Sequence, residues 1–166
     1  MSVSLNTVCV MLRYSDSANQ QCLRAAALFS DEQLDRPFDM GRGSLRKTLL
    51  HIQAGENVWL QRWQGRTETP WPDEDVKISI VTLSESLDRT VAERDSFLKE
   101  RSDADLERAV AYRDSKGGLF SATLGDMMVQ MVIHSTHHRA QAVNMLRRLG
   151  ASPPELDYMT QVRRPA

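Results

Sequence analysis

The sequence has few of the features that mark a disulfide scaffold, a membrane protein or a nucleic-acid-binding protein. Its 166 residues include only two cysteines, Cys9 and Cys22, a number typical of small buried side chains rather than of a disulfide framework. No apolar run approaches the roughly 18 residues of a membrane span, so no membrane partner is expected. With 21 Lys and Arg against 22 Asp and Glu, the chain has no surplus of positive charge for nucleic-acid phosphates.

Glycine and proline are also scarce, at 8 and 6 residues, which leaves room for long helices. A composition of 41% hydrophobic and 26% charged residues is that of an ordinary folded protein, and the length fits one domain over residues 1–166. The N-terminal apolar run Val8-Cys9-Val10-Met11-Leu12 is shorter than a signal-peptide core and has no basic flank before it. We therefore expect a cytoplasmic protein.

Helical periodicity marks four segments, and no segment alternates convincingly as a strand does over any length. The first predicted helix runs from Val8 to Phe29, and the second begins at the N-cap Ser44 and ends near Gly65. The third starts at the capping-box sequence Thr82-Leu83-Ser84-Glu85, and the fourth runs from Thr123 to Leu149. Such helices bury their apolar stripes most simply against one another, which predicts an all-α four-helix bundle.

A small β-hairpin is possible before the last helix. Val110, Tyr112, Leu119 and Phe120 flank the turn sequence Lys116-Gly117-Gly118, an arrangement typical of two short strands joined by a tight turn. The Pro- and Asp-rich stretch Thr69-Pro70-Trp71-Pro72-Asp73 is read as a connection between the two halves of the chain.

Histidine placement is the most informative feature. Three of the four histidines fall in His134-Ser135-Thr136-His137-His138 on the fourth helix. Successive residues turn by about 100°, so His134 and His138 share the inward face, whereas His137 points away from it. Imidazoles at this spacing can chelate one metal ion; two hydrogen-bonded histidines of a packed bundle are the alternative. Ser135 stands where a zinc protease has Glu, so that class does not fit.

The remaining histidine, His51, lies on the second helix at the edge of its apolar stripe, where a neighbouring helix could cover it. A third imidazole from another helix would complete a three-histidine set that leaves a coordination position open, as catalytic metal sites do. The residue types alone do not select the metal, because three neutral imidazoles accept zinc, nickel, iron or copper.

Several polar residues could support such a site. Glu56 falls in the middle of the apolar stripe of the second helix, and a buried carboxylate needs a partner. That partner could be an imidazole N–H or Arg94, which interrupts the stripe of the third helix; alternatively, Glu56 turns out to solvent. Arg139 and Gln141 follow the histidine cluster and could form a polar rim around an open metal position, with a solvated surface as the alternative for Arg139.

These segments resemble the DinB/YfiT-like superfamily of metal-dependent proteins. The resemblance is carried by Leu49-Leu50-His51-Ile52 with Glu56 and Trp59, by His134-Ser135-Thr136-His137-His138-Arg139-Ala140-Gln141, and by Leu146-Arg147-Arg148-Leu149-Gly150 with Pro154 and Asp157 beyond. It spans nearly the whole chain, and one departure is Ala140 where the family usually has Gly.

The resemblance implies a four-helix bundle with a long crossover and a divalent metal held by His51, His134 and His138. Nickel or zinc is the first expectation for that metal, with iron or manganese as further ones. It also implies a homodimer. Some members of the family are transferases or isomerases that use low-molecular-weight thiols such as mycothiol, bacillithiol or glutathione, and many have no assigned reaction.

We therefore expect a metal-dependent enzyme that activates a thiol or a water molecule for attack on a small electrophilic substrate. No catalytic side chain is assigned. Residues expected to support the ligands or to line a pocket are Glu56, Arg94, His137, Arg139 and Gln141. Two alternatives stay open: a stress-related binding or interaction module with a structural or vestigial metal, and a plain dimeric helical domain whose histidines only pack.

Overall fold

The computed structural model describes residues 3–165 and contains four long helices, which form a bundle. These are α1 (Leu5–Ala26), α3 (Leu45–Trp63), α4 (Ile80–Lys99) and α5 (Leu124–Arg148), with short helices α2 (Asp31–Leu34) and α6 (Tyr158–Val162). A turn of 3₁₀-helix, Asp103–Glu107, precedes the antiparallel hairpin of β1 (Ala109–Arg113) and β2 (Leu119–Thr123). The predicted helical bundle with a small hairpin is confirmed.

A side-chain hydroxyl begins each long helix. The hydroxyls of Ser4, Ser44, Ser79 and Thr123 each accept the backbone N–H three residues later. The prediction that α4 begins at Thr82 is wrong, because Ser79 supplies the cap one turn earlier and the buried Ile80 already belongs to the apolar face. Helix α1 likewise begins before Val8 and ends at Ala26 rather than at Phe29.

Helix α5 packs against α1 and α3, and α4 contacts the same two helices. Helices α3 and α5 are antiparallel, because Thr48 near the start of α3 contacts Met145 near the end of α5, while Glu56 contacts Ser135. This antiparallel pair brings His51 on α3 to the level of the histidines on α5.

Helices α3 and α4 run in the same direction, since Gln53 bonds Ser86 and, further along both helices, Gln64 bonds Glu93. The segment 64–79 must therefore return along a helix about 28 Å long before α4 begins. This crossover passes over the outer side of α3, and two of its residues contact His51.

The interior consists of two apolar clusters with a polar layer between them. One cluster lies at the end of the bundle that holds Leu49, Leu83 and Met145, and the other holds Trp63 and Met127. Cys22 is fully buried, and burial raises the pKa of its thiol to about 11, so it behaves as a small core side chain. None of the helices in residues 3–165 is both long and apolar enough to cross a membrane.

Candidate metal centre

Three imidazoles meet in the middle layer of the bundle. His51 on α3 and His134 and His138 on α5 each place one ring nitrogen within 4.8 Å of the others. Their ring centroids are 4.4 to 4.9 Å apart, and Nε2 of His51 lies 3.0 Å from Nε2 of His134. We refer to these three residues as the histidine centre. The sequence predicted that His51 lies close to the two histidines of α5, and the structure places it there.

The close approach of α3 to α5 at this level depends on Gly55. A Cβ atom at this position would lie 2.6 Å from Cε1 and 2.8 Å from Nδ1 of His134, distances too short for any real side chain. Glycine inside a helix costs about 1 kcal/mol relative to alanine, so its presence here needs a packing reason, and the His134 ring supplies one. Sequence reasoning missed Gly55, although a glycine one turn after His51 on an otherwise regular helix is a usable signal.

Two of the three rings are oriented by hydrogen bonds from their Nδ1 atoms. Nδ1 of His51 lies 2.5 Å from Oε1 of Glu74, whose other oxygen accepts from Nε of Arg42 at 2.7 Å. Nδ1 of His138 lies 2.8 Å from Oε1 of Gln141. Because these oxygens are acceptors, each Nδ1 carries the proton, and the Nε2 atoms are left with lone pairs.

Gln141 and His137 are the two predicted polar neighbours that lie near the centre. Gln141 lies beside it and bridges two histidines, since its Nε2 is 3.1 Å from Nε2 of His137. His137 itself is exposed and stands outside the three-ring group, as its angle on the helix predicted. Glu74 and Arg42 were not identified from the sequence, because they lie in irregular segments without periodicity.

Burial keeps the histidine centre uncharged. Desolvation lowers the pKa of His51 and of His138, against smaller opposing effects of their hydrogen bonds to Glu74 and Gln141. Desolvation, and then the neighbouring rings of His138 and His51, lower the pKa of His134 to about 3. Neutral imidazoles with free lone pairs are the form in which histidine binds metals.

The donor set fits a cation. Two ring nitrogens that bear lone pairs repel each other at 3.0 Å, unless a proton or a metal ion lies between them. Two nitrogen ligands of one zinc ion, each about 2.0–2.1 Å from it, are separated by about 3 Å, so the observed spacing suits a shared ion. Nδ1 of His134 is in addition buried with no hydrogen-bond partner among the described residues.

The crossover segment covers the centre from outside. The indole of Trp71 stacks on the His51 ring, with centroids 4.8 Å apart and planes 12° apart, and its centroid is 5.8 Å from that of His134. A cavity of about 650 Å³ beside Trp71 is lined by His51, Glu74 and Arg42. The sequence marked this stretch only as a connection, so Trp71 too was missed.

Glu56 belongs to a separate buried group. Its carboxylate is fully buried and accepts from Arg94 Nη1 at 3.3 Å, Ser135 Oγ at 2.6 Å and Asn19 Nδ2 at 3.2 Å. Arg94 also donates to both oxygens of Asp16, at 3.0 and 2.5 Å. We call Asp16, Glu56 and Arg94 the ionic cluster. Of the alternatives for Glu56, the structure has the pairing with Arg94 rather than an imidazole partner or solvent.

Arg139 does not form a rim around the histidines, and it is not a surface residue either. It is 2% exposed and donates to Ser15 Oγ at 3.1 Å and Asn19 Oδ1 at 2.8 Å on α1. The reason is its angle: one residue after His138 the helix has turned by about 100°, which directs Arg139 towards α1. Arg94 and Glu56 likewise do not contact the histidine centre directly.

Comparisons with known proteins agree with this architecture. A sequence model of the DinB family matches residues 1–164. The chain is similar to the protein DinB of Bacillus subtilis (strain 168), with 20% identity over 154 residues, 89% of each chain. It is also similar to the crystal structure of a DinB-like protein from Bacillus cereus ATCC 10987, with a TM-score of 0.74, 21% identity, and 93% of this chain and 99% of that one covered.

A further solved structure with a similar fold is YfiT from Bacillus subtilis, described as a probable metal-dependent hydrolase with an unusual four-helix bundle topology. Its TM-score is 0.64 and its identity 23%, with 92% of this chain and 93% of that one covered. At these identities the likeness concerns the fold.

Proposed function

Because the chain belongs to the DinB family, we propose that it is a metal-dependent enzyme whose divalent ion is held by His51, His134 and His138. The observation that carries this proposal is that one ring nitrogen from each of these three histidines lies within 4.8 Å of the other two, in a partly buried group. Zinc and nickel are the metals proposed first and iron next, since imidazole nitrogen suits all three; manganese, which prefers oxygen ligands, comes last.

The side chains of this protein prepare the site before any ion binds. Glu74 and Gln141 fix the tautomers of His51 and His138, so that Nε2 and not Nδ1 is presented to the site. Gly55 lets the His134 ring approach α3, and Trp71 excludes water from one side of the His51 ring. When bound, a divalent ion would supply Lewis-acid chemistry, making a water or thiol acidic enough to act as a nucleophile near neutral pH.

The reaction class we propose is attack of a water or a low-molecular-weight thiol on a small electrophilic substrate. Three protein ligands leave room in the coordination sphere, which separates a catalytic site from a closed structural one. The description of YfiT as a probable metal-dependent hydrolase favours water. A thiol is favoured by the family resemblance of the sequence, which includes members that use low-molecular-weight thiols. The alternative is a non-enzymatic module whose metal only stabilises the fold.

Metal analysis of protein purified without a polyhistidine tag tests the ligand set. We expect about one divalent ion per chain in the wild type and a loss of at least tenfold in metal content in His138→Ala. His137→Ala is the matched control, because His137 is an exposed histidine of the same helix that lies outside the three-ring group, and it should keep its metal. Equal metal content in the two variants would overturn the proposed site.

Turnover distinguishes the enzyme from the structural alternative. Small activated esters test the hydrolytic version, and conjugation of cysteine or glutathione to an aryl halide tests the thiol version. We expect one of these activities, abolished by chelation and by His138→Ala but kept by His137→Ala. A chelator that lowers the melting temperature of a protein inactive on both panels would support the structural-metal module instead.

We also propose, from the resemblance, that the protein is a homodimer. From the composition we propose that it acts in the cytoplasm on a small molecule, without nucleic-acid or membrane partners. Light scattering of the purified chain at micromolar concentration tests the dimer, and fractionation of cells that express it tests the location.

A further inference from the structure

A second cavity, of about 480 Å³, lies next to the histidine centre and has aromatic walls. Trp59, Trp71 and Tyr112 line it, and Trp71 also lines the cavity at His51. Gln130, another lining residue, precedes His134 by four residues on α5, which is one helical turn or about 6 Å. A ligand in this cavity would therefore lie within one or two turns of the three imidazoles.

Arg62 is the unusual residue of this cavity. It is only 4% exposed, and its guanidinium carbon lies 4.7 Å from the ring centre of Trp59 and 5.1 Å from that of Tyr112. Nη2 donates to the backbone carbonyl of Arg113 at 2.8 Å, but Nε is buried without an acceptor. Within residues 3–165, no carboxylate lies within ion-pair distance of this guanidinium.

The other buried arginines show how this protein treats such a charge. Arg46 contacts two aspartates, and Arg94 contacts both carboxylates of the ionic cluster. Arg139 lacks a carboxylate but donates to two hydroxyl oxygens and one amide oxygen. A buried cation that lacks a counter-charge costs several kcal/mol. Among the buried arginines of residues 3–165, Arg62 has neither a carboxylate partner nor the three oxygen acceptors that surround Arg139.

A second unsatisfied donor lies in the same wall. Nε1 of Trp59 is buried with no hydrogen-bond partner in the described part of the chain. Burial also lowers the pKa of Arg62, against smaller opposing effects of Tyr112 and Asp114. Asp114 lines the cavity too, but its Oδ1 accepts the backbone N–H groups of Lys116 and Gly118 at 2.9 and 2.8 Å.

We propose that this cavity binds a small molecule carrying one carboxylate on a flat apolar body, with the carboxylate paired to Arg62. A guanidinium presents parallel N–H donors that match a planar carboxylate, and aromatic walls suit a flat body. The carboxylates of Asp114 and Asp126 also line the cavity and repel any anion, so only a ligand whose single carboxylate is paired directly with Arg62 fits this lining, and phosphates and other polyanions do not. The predicted ligand class is therefore a monoanion.

If the ligand is also the substrate, which rests on the proposed function, the geometry restricts its length. Gly55, opposite the His134 ring, and Arg62 are seven residues apart on α3, which is about 10 Å along the helix axis. The group that reacts at the histidine centre would then lie roughly 10 Å from the carboxylate. Arylalkanoic acids and their esters or conjugates are long enough to span this distance, whereas shorter acids are not.

Binding of 4-phenylbutyrate, compared with its neutral amide, tests the inference. Isothermal titration and ligand-observed NMR are carried out on full-length protein, both metal-free and metal-loaded. We expect the acid to bind at least tenfold more tightly than the amide in both forms, and inorganic phosphate to leave its binding unchanged. Equal affinities of acid and amide, or no binding of the acid at 10 mM, would overturn the inference.

Variants of two neighbouring arginines test whether the preference for the acid depends on Arg62. Arg62→Gln should remove the preference for the acid while keeping weak binding of the amide, and Arg66→Gln should change neither, since Arg66 is exposed and outside the cavity. Circular dichroism checks folding; if Arg62→Gln is unfolded, Arg62→Lys replaces it and should lose affinity for the acid several-fold, because lysine lacks the planar donor pair. Unchanged binding of the acid in the folded variant would contradict the proposal.

The outcomes also separate this inference from the proposed function. Acid binding that needs metal and is lost in His134→Ala but kept in Arg62→Gln would make the carboxylate a metal ligand, which overturns the cavity proposal and leaves the metal site standing. Acid binding through Arg62 in a protein that binds no metal would sustain the cavity proposal and overturn the enzyme proposal.

Discussion

The histidine centre and the ionic cluster occupy the same polar layer of the bundle and are built from neighbouring residues, yet they differ in kind. On α3, Gly55 faces the histidines, and the next residue, Glu56, belongs to the ionic cluster. On α5, His134 and Ser135 divide in the same way. A turn of about 100° between successive residues is enough to separate the two sites.

The difference lies in whether the site contains groups of opposite charge. In the ionic cluster the guanidinium of Arg94 donates hydrogen bonds to two carboxylates. The carboxylate of Glu56 also accepts hydrogen bonds from a hydroxyl and an amide group. The histidine centre has three groups of one kind, and Nε2 of His51 lies 3.0 Å from Nε2 of His134. A divalent cation would match these nitrogens, so we propose that the ionic cluster serves folding and the histidine centre serves binding.

The largest effect we expect comes from breaking the ionic cluster. Arg94→Met leaves the carboxylates of Asp16 and Glu56 buried without their cation, which should lower the free energy of unfolding by about 3–5 kcal/mol. Urea unfolding of the metal-free protein measures this cost. Arg89→Met, an exposed position on the same helix, is the control and should change stability by less than about 0.5 kcal/mol. A similar small loss in Arg94→Met would mean that the cluster contributes nothing to folding.

Gly55→Ala tests the other side of the comparison. A methyl group 2.6 Å from the His134 ring forces that ring away from α3, so metal affinity should fall by about 100-fold, the upper end of what loss of a supporting contact costs. Competition with a chromophoric chelator measures the affinity. Gly125→Ala is the matched control, because its added Cβ would lie 3.3 Å from its nearest neighbour and far from the histidines. An unchanged metal affinity in Gly55→Ala would show that the centre does not depend on this close approach.

The parts of the molecule that follow helical periodicity could be predicted from the sequence. The spacing of His134 and His138, and the position of His51 at the edge of an apolar stripe, were enough to expect one shared site. Periodicity misplaced the start of α4, because two hydroxyl residues three positions apart, Ser79 and Thr82, both had a form suited to capping and only packing of Ile80 decided between them.

The parts that depend on irregular segments could not be predicted. Glu74 and Trp71 contact His51 from the crossover, whose path is fixed by the parallel arrangement of α3 and α4 and not by any local pattern. Arg139 was misplaced because a polar residue next to a binding motif was taken to belong to it. The angle on the helix, which correctly excluded His137, would have placed Arg139 as well.

A smaller effect is expected from the support that the crossover gives to His51. Glu74→Gln keeps an acceptor oxygen for Nδ1 but removes the negative charge that strengthens the imidazole as a ligand, so metal affinity should fall by about tenfold. Asp75→Asn is the control, since Asp75 is the exposed neighbouring acid and contacts Lys47 instead. The same chelator competition applies to both variants, and equal affinities would remove Glu74 from the site.

The smallest effect should appear in the pH dependence of stability, where the two regions act with opposite signs. The pKa of His134 is lowered to about 3, so between pH 6.5 and 3 the unfolded chain binds a proton that the folded protein does not, and acidification destabilises the metal-free fold. Burial raises the pKa of Glu56 and of Asp16, so each takes up a proton first in the folded state, and acidification acts in the stabilising direction.

His134→Gln isolates the histidine contribution, because both proteins retain the ionic cluster and its opposing effect. The variant should lose less stability than the wild type between pH 7 and pH 5 in urea unfolding of metal-free protein. His137→Gln, which removes an exposed histidine from the same helix, is the control. The difference should be well below the cost of Arg94→Met, because His134 keeps part of its hydration. Parallel pH profiles for wild type and His134→Gln would mean that burial does not hold this ring neutral. The contrast drawn here between the histidine centre and the ionic cluster would then be wrong for the histidine centre.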